Sequence, residues 1–345
     1  MPSSPIVRRL LAVLVVIFVV AALKAAQVVL LPLAFALFLT LLLWPFQAKL
    51  AETMPRGAAF GLTFLAFLLG IAAFGGAVYY GAAQVVDGAA AYADQWERLQ
   101  RRLPAPLQPG GNGGGGESSS LSGVVEPALA SVWSIAGAFV LTVAFLALAL
   151  LEVRPFQQKI AERFRGSTAH LAAESADEIA EKVLSYVGTR VLTSGLTGVL
   201  SYGLALAVGL DFAFAWGLLS FLLNFIPTLG SVVSIVPPTL FALFQFGMGW
   251  EVGAVLGGLV LIQLVLGSFV DPKLQGRNLK LSPLVVLFSI AFWGWVWGIG
   301  GALIGVPLTV SLVIICDHFP DTRWVADLLT SRDEDRSRAP ASTDA

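Results

Sequence analysis

The stretch Asp211–Phe246, DFAFAWGLLSFLLNFIPTLGSVVSIVPPTLFALFQF, decides how the rest of the chain is read. No ionisable side chain follows Asp211 within it, so it suits an apolar medium. It is too long for a single crossing, because a helix rising about 1.5 Å per residue spans a bilayer core in about 20 residues. At its centre stands Asn224-Phe225-Ile226-Pro227-Thr228-Leu229-Gly230-Ser231. Pro227 lacks a backbone donor and clashes with the preceding turn, and Gly230 loosens the chain further. Backbone groups freed in this way survive in hydrocarbon only when buried in protein or facing a wet cavity. A broken apolar segment with Asn, Thr and Ser at the break is how membrane transporters build sites at the bilayer midplane.

The composition agrees with that setting. The chain is 57% hydrophobic and 12% charged, with a mean hydropathy of +0.82, far outside the range of a soluble domain. The expected class is an all-α polytopic membrane protein of about six full spans plus two broken, re-entrant hairpins, about eight membrane segments in all. Basic residues are scattered and form no stripe, so nucleic acid is not an expected partner. Cys316 is the single cysteine, which excludes an internal disulfide and a thiolate metal cluster. No HExxH or GxSxG motif occurs, and His170 and His318 fall outside the spans, so an intramembrane hydrolase is not expected. A Walker motif is also missing, leaving ion gradients as the energy source for any transport. No cofactor is expected beyond Na⁺ or H⁺ as a coupling ion.

Five regions follow along the chain. Residues 1–80 read as three N-terminal spans forming a scaffold. The first holds Leu10–Leu23; Val20-Ala21-Ala22 resembles a signal-peptidase site, but a second span follows at once, so an uncleaved helix is expected. Residues 81–130 read as an extracytoplasmic amphipathic helix, with Ala89, Tyr92, Trp96, Leu99 and Leu103 at helical spacing, followed by a Gly/Ser linker. Residues 131–182 hold the fourth span and a cytoplasmic helical segment. Residues 183–316 form the transport core with both broken segments, and 317–345 is a cytoplasmic tail.

Charge placement sets the expected topology. Arg8, Arg9, Lys49, Arg56 and the run Arg154, Lys159, Arg163, Arg165 and Lys182 belong in the cytoplasm by the positive-inside rule. If Asp211–Phe246 crossed once, the loop with Lys273, Arg277 and Lys280 would fall outside. If it enters and leaves on the outer side, that loop returns to the cytoplasm. The second over-long segment, Pro283–Cys316, interrupted by Trp293-Gly294-Trp295, Gly298, Gly300-Gly301 and Pro307, then becomes an opposed hairpin. Both termini lie inside, and span plus hairpin is followed by an inverted copy.

Three motifs now stand in order: LLNFIPTLGSVVSIVPP, VDPKLQGRNLKLSPLVVLFSIAFWGW and GIGGALIGVPLT. Together they resemble the autoinducer-2 exporter family of membrane transporters, over roughly Glu152–Leu329. The resemblance implies a bacterial inner-membrane protein in the lipid bilayer, a homo-oligomer, and export of a small polar solute such as autoinducer-2, the quorum-sensing signal, or antiport of Na⁺ and H⁺. Leu151-Glu152 stands where many members carry Asp-Gly.

The candidate substrate- or ion-binding residues are Asn224, Pro227, Thr228, Gly230 and Ser231 at the first break, with Asp271 and Arg190 at the ends of their spans. Asn224, Thr228 and Ser231 suit hydrogen bonding to a hydroxylated solute or capping of the broken helices, and the carbonyls near Phe225 and Ile226 suit a cation. Asp271 suits ion coupling or an interfacial pair with Lys273 or Arg277. Arg190 suits attraction of an anionic substrate or snorkelling to the interface. Pro272, Gly276, Arg277, Pro283, Trp293, Gly294 and Pro307 are the motif and gating candidates. Rival functions are an ion channel, an antiporter-like permease without autoinducer activity, and a membrane scaffold or regulator.

Overall fold

The computed structural model describes residues 5–89, 92, 121–163, 167–227, 229–271, 273, 281–318 and 322–330. Thr228, Pro272, Gly276 and Arg277 lie outside these, as do the expected glycine linker and most of the amphipathic helix before it. Among the described residues the fold is helical throughout, with one isolated bridge between Leu281 and Thr330.

Helices α1 (Pro5–Ala25) and α2 (Gln27–Thr53) are separated only at Ala26. Met54, just before Pro55, is extended, the conformation that a following proline imposes, and it ends α2. Helices α3 (Arg56–Ala89) and α4 (Leu121–Arg163) both outrun the spans expected from hydropathy. Hydropathy marks where the bilayer ends, whereas backbone hydrogen bonding carries a helix on until something caps it. Helix α5 (Ser167–Val208) stops in a Schellman motif: Gly209 takes φ +77°, and the N–H groups of Gly209 and Leu210 bond the carbonyls of Leu206 and Ala205.

The opening stretch then folds as three pieces, α6 (Ala213–Leu223), α7 (Leu229–Val233) and α8 (Val236–Phe246). Its two ends lie side by side. Gln245 Nε2 donates to the Gly209 carbonyl at 3.0 Å, and the Asp211 N–H donates to Gln245 Oε1 at 2.9 Å. This segment, hairpin 1, therefore enters and leaves at one end of the molecule. Helix α6 lies tightly along α5 because glycines meet: a Cβ on Gly217 would sit 2.8 Å from the Gly198 carbonyl oxygen. Helix α9 (Trp250–Val265) runs back antiparallel to α5, from Gly258 packed on Leu204 to Asp271 beside Arg190.

Helix α10 (Pro283–His318) is in fact two arms joined at Trp297 and Gly298, the latter at φ +67°. The arms pack face to face, so that a Cβ on Gly301 would come within 2.1 Å of the Trp293 carbonyl oxygen. This is hairpin 2. Gly294 and Pro307, expected among its interruptions, sit inside the helical arms; the break is confined to the residue pair where glycine alone adopts the needed backbone geometry. Helix α11 (Arg323–Leu329) closes the open end of hairpin 2 through Leu281 and Ser282.

Seven described helical stretches are long and apolar enough to cross a membrane: Gln27–Thr53, Arg56–Gly88, Gly137–Phe156, Ser175–Val208, Leu229–Phe246 (α7 and α8 together), Trp250–Val270 and Pro283–His318. Val13–Ala25 and Ala213–Leu223 are apolar but shorter. Large apolar side chains on the outside, among them Phe18, Leu69, Val199 and Leu261, complete a multi-pass membrane protein.

Candidate functional site

One face of α5 carries a column of buried polar residues: Thr189, Arg190, Thr193, Ser194, Thr197 and Ser201. Their three- and four-residue spacing puts them in one stripe. Two hydroxyls turn back onto the helix, Thr197 Oγ1 onto the Thr193 carbonyl at 2.8 Å and Thr193 Oγ1 onto the Arg190 carbonyl at 3.5 Å. Ser194 faces outward from α5 and accepts a hydrogen bond from Asn224 Nδ2 at 3.2 Å. Ser201 Oγ is buried without a partner.

Asn224 ends α6 at the tip of hairpin 1 and is buried. Its Oδ1 accepts from Ser231 Oγ at 3.5 Å. One turn further, Ser234 Oγ donates to the Ser231 carbonyl at 3.0 Å and accepts from Gln263 Nε2 of α9 at 2.9 Å. A polar chain thus links α5, both sides of the break, and α9. Pro227 is buried at the turn, and Gly230 is demanded there: a Cβ would fall 1.7 Å from the Leu223 carbonyl oxygen. The Ile226 carbonyl, expected to be available to a cation, instead accepts the Gly230 N–H at 3.0 Å, since the short helix α7 starts at once and recaptures it.

The fold brings Arg190 and Asp271 together. Arg190 Nη1 and Asp271 Oδ2 are 3.1 Å apart, with side chains only 10% and 18% exposed. Among the described residues the ion pair of Asp271 is with Arg190 and not with Lys273, because α9 returns antiparallel to α5; Arg277 lies outside the described residues. A wide π turn, Leu266–Val270, leads into Asp271, a geometry often found at functional sites. The Arg190 guanidinium also lies over the Tyr186 ring, 5.6 Å from its centroid. Arg190 Nε, Asp271 Oδ1 and Tyr186 Oη are buried with no hydrogen-bond partner. Such orphaned atoms around a charged pair are costly.

The second break is built differently. The Trp293 and Trp297 rings pack together, tilted by 40° with centroids 5.0 Å apart; the Trp293 indole donates to Thr309 Oγ1 at 3.1 Å and the Trp297 indole to the Leu23 carbonyl at 3.0 Å. Trp295 points outward, under the Lys24 ammonium at 4.2 Å. Pro283 is exposed at the start of the first arm, and Pro307 is buried in the second. Between the tips of the two hairpins lies a cleft of about 430 Å³, walled by Leu223, Ile226, Gly230, Ile290, Gly294 and Gly298. The structure therefore places Gly230 and Gly294 on this cleft, and Asn224 and Ser231 in the polar chain beside it. Arg190 and Asp271 pair nearer the mouth of hairpin 2, and Pro283 stands apart.

Sequence reasoning missed Ser194, Ser234, Gln263 and Tyr186. Gln263 is the one amide inside the apolar run of α9, a signal legible without the structure. No group of three or more potential metal ligands occurs among the described residues.

Two hairpins lining one cleft in a helical membrane protein are thus the core of the fold. The model of the AI-2E family transporter matches residues 11–321. The chain belongs to the AI-2E transporter family. A Haemophilus influenzae protein, named provisionally as a transport protein, is 30% identical over 334 residues, covering 93% of this chain and 96% of its own. The AI-2 transport protein TqsA of Escherichia coli K12 is 37% identical over 191 residues, 55% of this chain and 54% of the relative. A provisionally named transport protein of Borreliella burgdorferi is 35% identical over 207 residues, 58% and 56% of the two chains. AI-2E membership makes this chain a membrane transporter and not an enzyme.

Proposed function

We propose that the chain is a secondary transporter of the bacterial inner membrane that moves a small polar solute, of the class to which autoinducer-2 belongs, past the tips of the two hairpins. The observation that carries this is the polar chain Ser194–Asn224–Ser231 at the tip of hairpin 1, beside an otherwise apolar cleft. A hydroxylated solute entering there can exchange its hydrogen bonds to water for bonds to Asn224, Ser231 and Ser194, so little desolvation cost is left unmet. The Arg190–Asp271 pair supplies coupling. Protonation of Asp271, or Na⁺ at its orphaned oxygen, releases Arg190 and frees α9 to shift against α5. The opposed mouths of the hairpins support an inverted repeat, with both termini, α11 and the end of α9 on the cytoplasmic side. Thr228, Pro272, Gly276 and Arg277 remain candidates within this scheme on their sequence positions, and the protein acts as a homo-oligomer.

The test is solute efflux and uptake in proteoliposomes under separate Na⁺ and H⁺ gradients, comparing wild type with Asn224→Ala and Asp271→Asn. Wild type should show gradient-driven flux, Asn224→Ala a weaker apparent affinity, and Asp271→Asn flux that no longer responds to the gradient. Flux that stays gradient-driven in both variants refutes the site. Flux that follows concentration alone in wild type establishes a channel instead.

A further inference from the structure

At the end of the molecule formed by the last turns of α2, the first turn of α3 and the far end of α4, a second crevice of about 240 Å³ opens. Trp44, Gln47, Arg56, Phe60, Leu151 and Arg154 are among the residues that line it. Its two guanidiniums come from different helices. Arg154 is half-buried, 5.7 Å from the centroid of the Trp44 ring, which steadies it without neutralising it. Among the described residues neither Arg56 nor Arg154 has an ion-pair partner, and Glu52 and Glu152, close in sequence, do not line the crevice. Gln47 is 8% exposed, and its Oε1 is buried with no hydrogen-bond partner. Gln47 lines the crevice, and an unmet amide acceptor at its wall calls for a donor from outside the chain.

We propose that this crevice binds the headgroup of an anionic phospholipid carrying both a phosphate and a free hydroxyl, the chemistry of phosphatidylglycerol. The guanidiniums of Arg56 and Arg154 take the phosphodiester oxygens, which suit their planar donor geometry. The glycerol hydroxyl donates to Gln47 Oε1. Three features choose a lipid over a soluble anion. Both arginines stand at the ends of span-length helices, Arg56 opening α3 and Arg154 closing the apolar part of α4. The walls between them are apolar, with Phe60 and Leu151 placed to meet acyl chains. Trp44 lies at the same level, where indoles settle in the interface. Basic pockets between spanning helices are a recurrent form of headgroup recognition. The crevice lies outside both hairpins, so occupancy fixes α2, α3 and α4 to one another and to the bilayer, on the scaffold side of the transport core.

The experiment is lipid retention by the delipidated full chain in detergent, read by native mass spectrometry as phosphatidylglycerol, phosphatidylcholine or inorganic phosphate is added. Wild type should retain phosphatidylglycerol over phosphatidylcholine, and the Arg56→Gln/Arg154→Gln double variant should bind it at least tenfold more weakly. Gln47→Leu, which keeps the volume, should weaken phosphatidylglycerol while leaving dioleoyl phosphatidic acid unchanged. Arg323→Gln, remote from the crevice, should change nothing. Equal retention in wild type and the double variant, or equal retention of the two main lipids by wild type, overturns the proposal. Binding of inorganic phosphate that matches and displaces phosphatidylglycerol also overturns it, in favour of a soluble anion. If the double variant does not fold, Arg154→Lys and Gln47→Leu still decide, because the lysine keeps the charge but not the two-pronged contact.

Discussion

Hairpin 1 and hairpin 2 solve one problem, a chain reversal inside an apolar medium, with different materials. Hairpin 1 turns through a short helix, α7, and holds its tip with side-chain amides and hydroxyls: Asn224, Ser231, Ser234 and Gln263. Hairpin 2 turns at a single residue pair, Trp297–Gly298, and holds its tip with two packed indoles, one of them bonded to the backbone of α1. The first tip keeps hydrogen-bonding capacity that a passing solute can use. The second spends its two indole N–H groups within the protein and ties the transport core to the N-terminal helices. The contrast teaches that equal backbone topology does not mean equal chemistry: in the function proposed above, hairpin 1 is fitted to bind and hairpin 2 to anchor.

The largest expected effect tests what holds the open end of hairpin 2. Arg190→Ala leaves the Asp271 carboxylate buried and unpaired, which should cost about 3–5 kcal/mol. Purified protein should show it as a drop in melting temperature or as loss of monodisperse material. Arg190→Ala combined with Asp271→Ala should recover much of the loss, and failure to recover would mean that the pair is not the source of the stability.

Next come the two close approaches that the hairpins share. Gly230→Ala and Gly301→Ala each drive a Cβ into a backbone carbonyl, at 1.7 Å and 2.1 Å, so each should cost about 3 kcal/mol or more. Gly253→Ala meets nothing within 4 Å and should be neutral or slightly stabilising. If Gly230→Ala proves as mild as Gly253→Ala, the tip of hairpin 1 is looser than the packed turn described above, and the contrast with hairpin 2 grows.

A smaller pair of substitutions separates binding from anchoring directly. Trp297→Phe removes one hydrogen bond, to the Leu23 carbonyl, and should lower stability by about 1 kcal/mol with little change in flux. Asn224→Ala should do the reverse, costing flux more than melting temperature. Should both substitutions act alike in both assays, the division of roles between the hairpins fails.

The smallest effect concerns the mouth of hairpin 1. The Tyr92 hydroxyl donates to the Asp211 carboxylate, and its ring lies against Phe212, Phe241 and Phe244. Desolvation, together with the hydrogen bond and charge of Asp211, pushes the Tyr92 pKa up to about 12. The folded state therefore holds this proton more tightly than the unfolded chain. The contribution is complete below about pH 10, the ordinary tyrosine value, and is lost as the pH rises through about 12. Tyr92→Phe should lower the melting temperature slightly at neutral pH, with the difference from wild type vanishing at strongly alkaline pH. A difference that persists there would place the effect in ring packing instead of the hydrogen bond.

The sequence by itself determined the class and the break points of hairpin 1. Apolar runs of set length identify membrane helices because the bilayer fixes the length, and Pro227 with Gly230 marks a turn because the backbone limits of these residues hold in any fold. The family was legible from three motifs in order, the first of which holds that turn. The partners were not legible. Arg190 meets Asp271 only because α9 runs antiparallel to α5, and Asn224 meets Ser194 only because Gly198 and Gly217 let α6 press against α5. Nothing local to Gly294 or Pro307 shows that the chain stays helical there and turns at Trp297–Gly298, because packing between the arms decides it. Local chemistry sets where a chain can break; the contacts across the hairpins decide where it does and which polar groups then face one another.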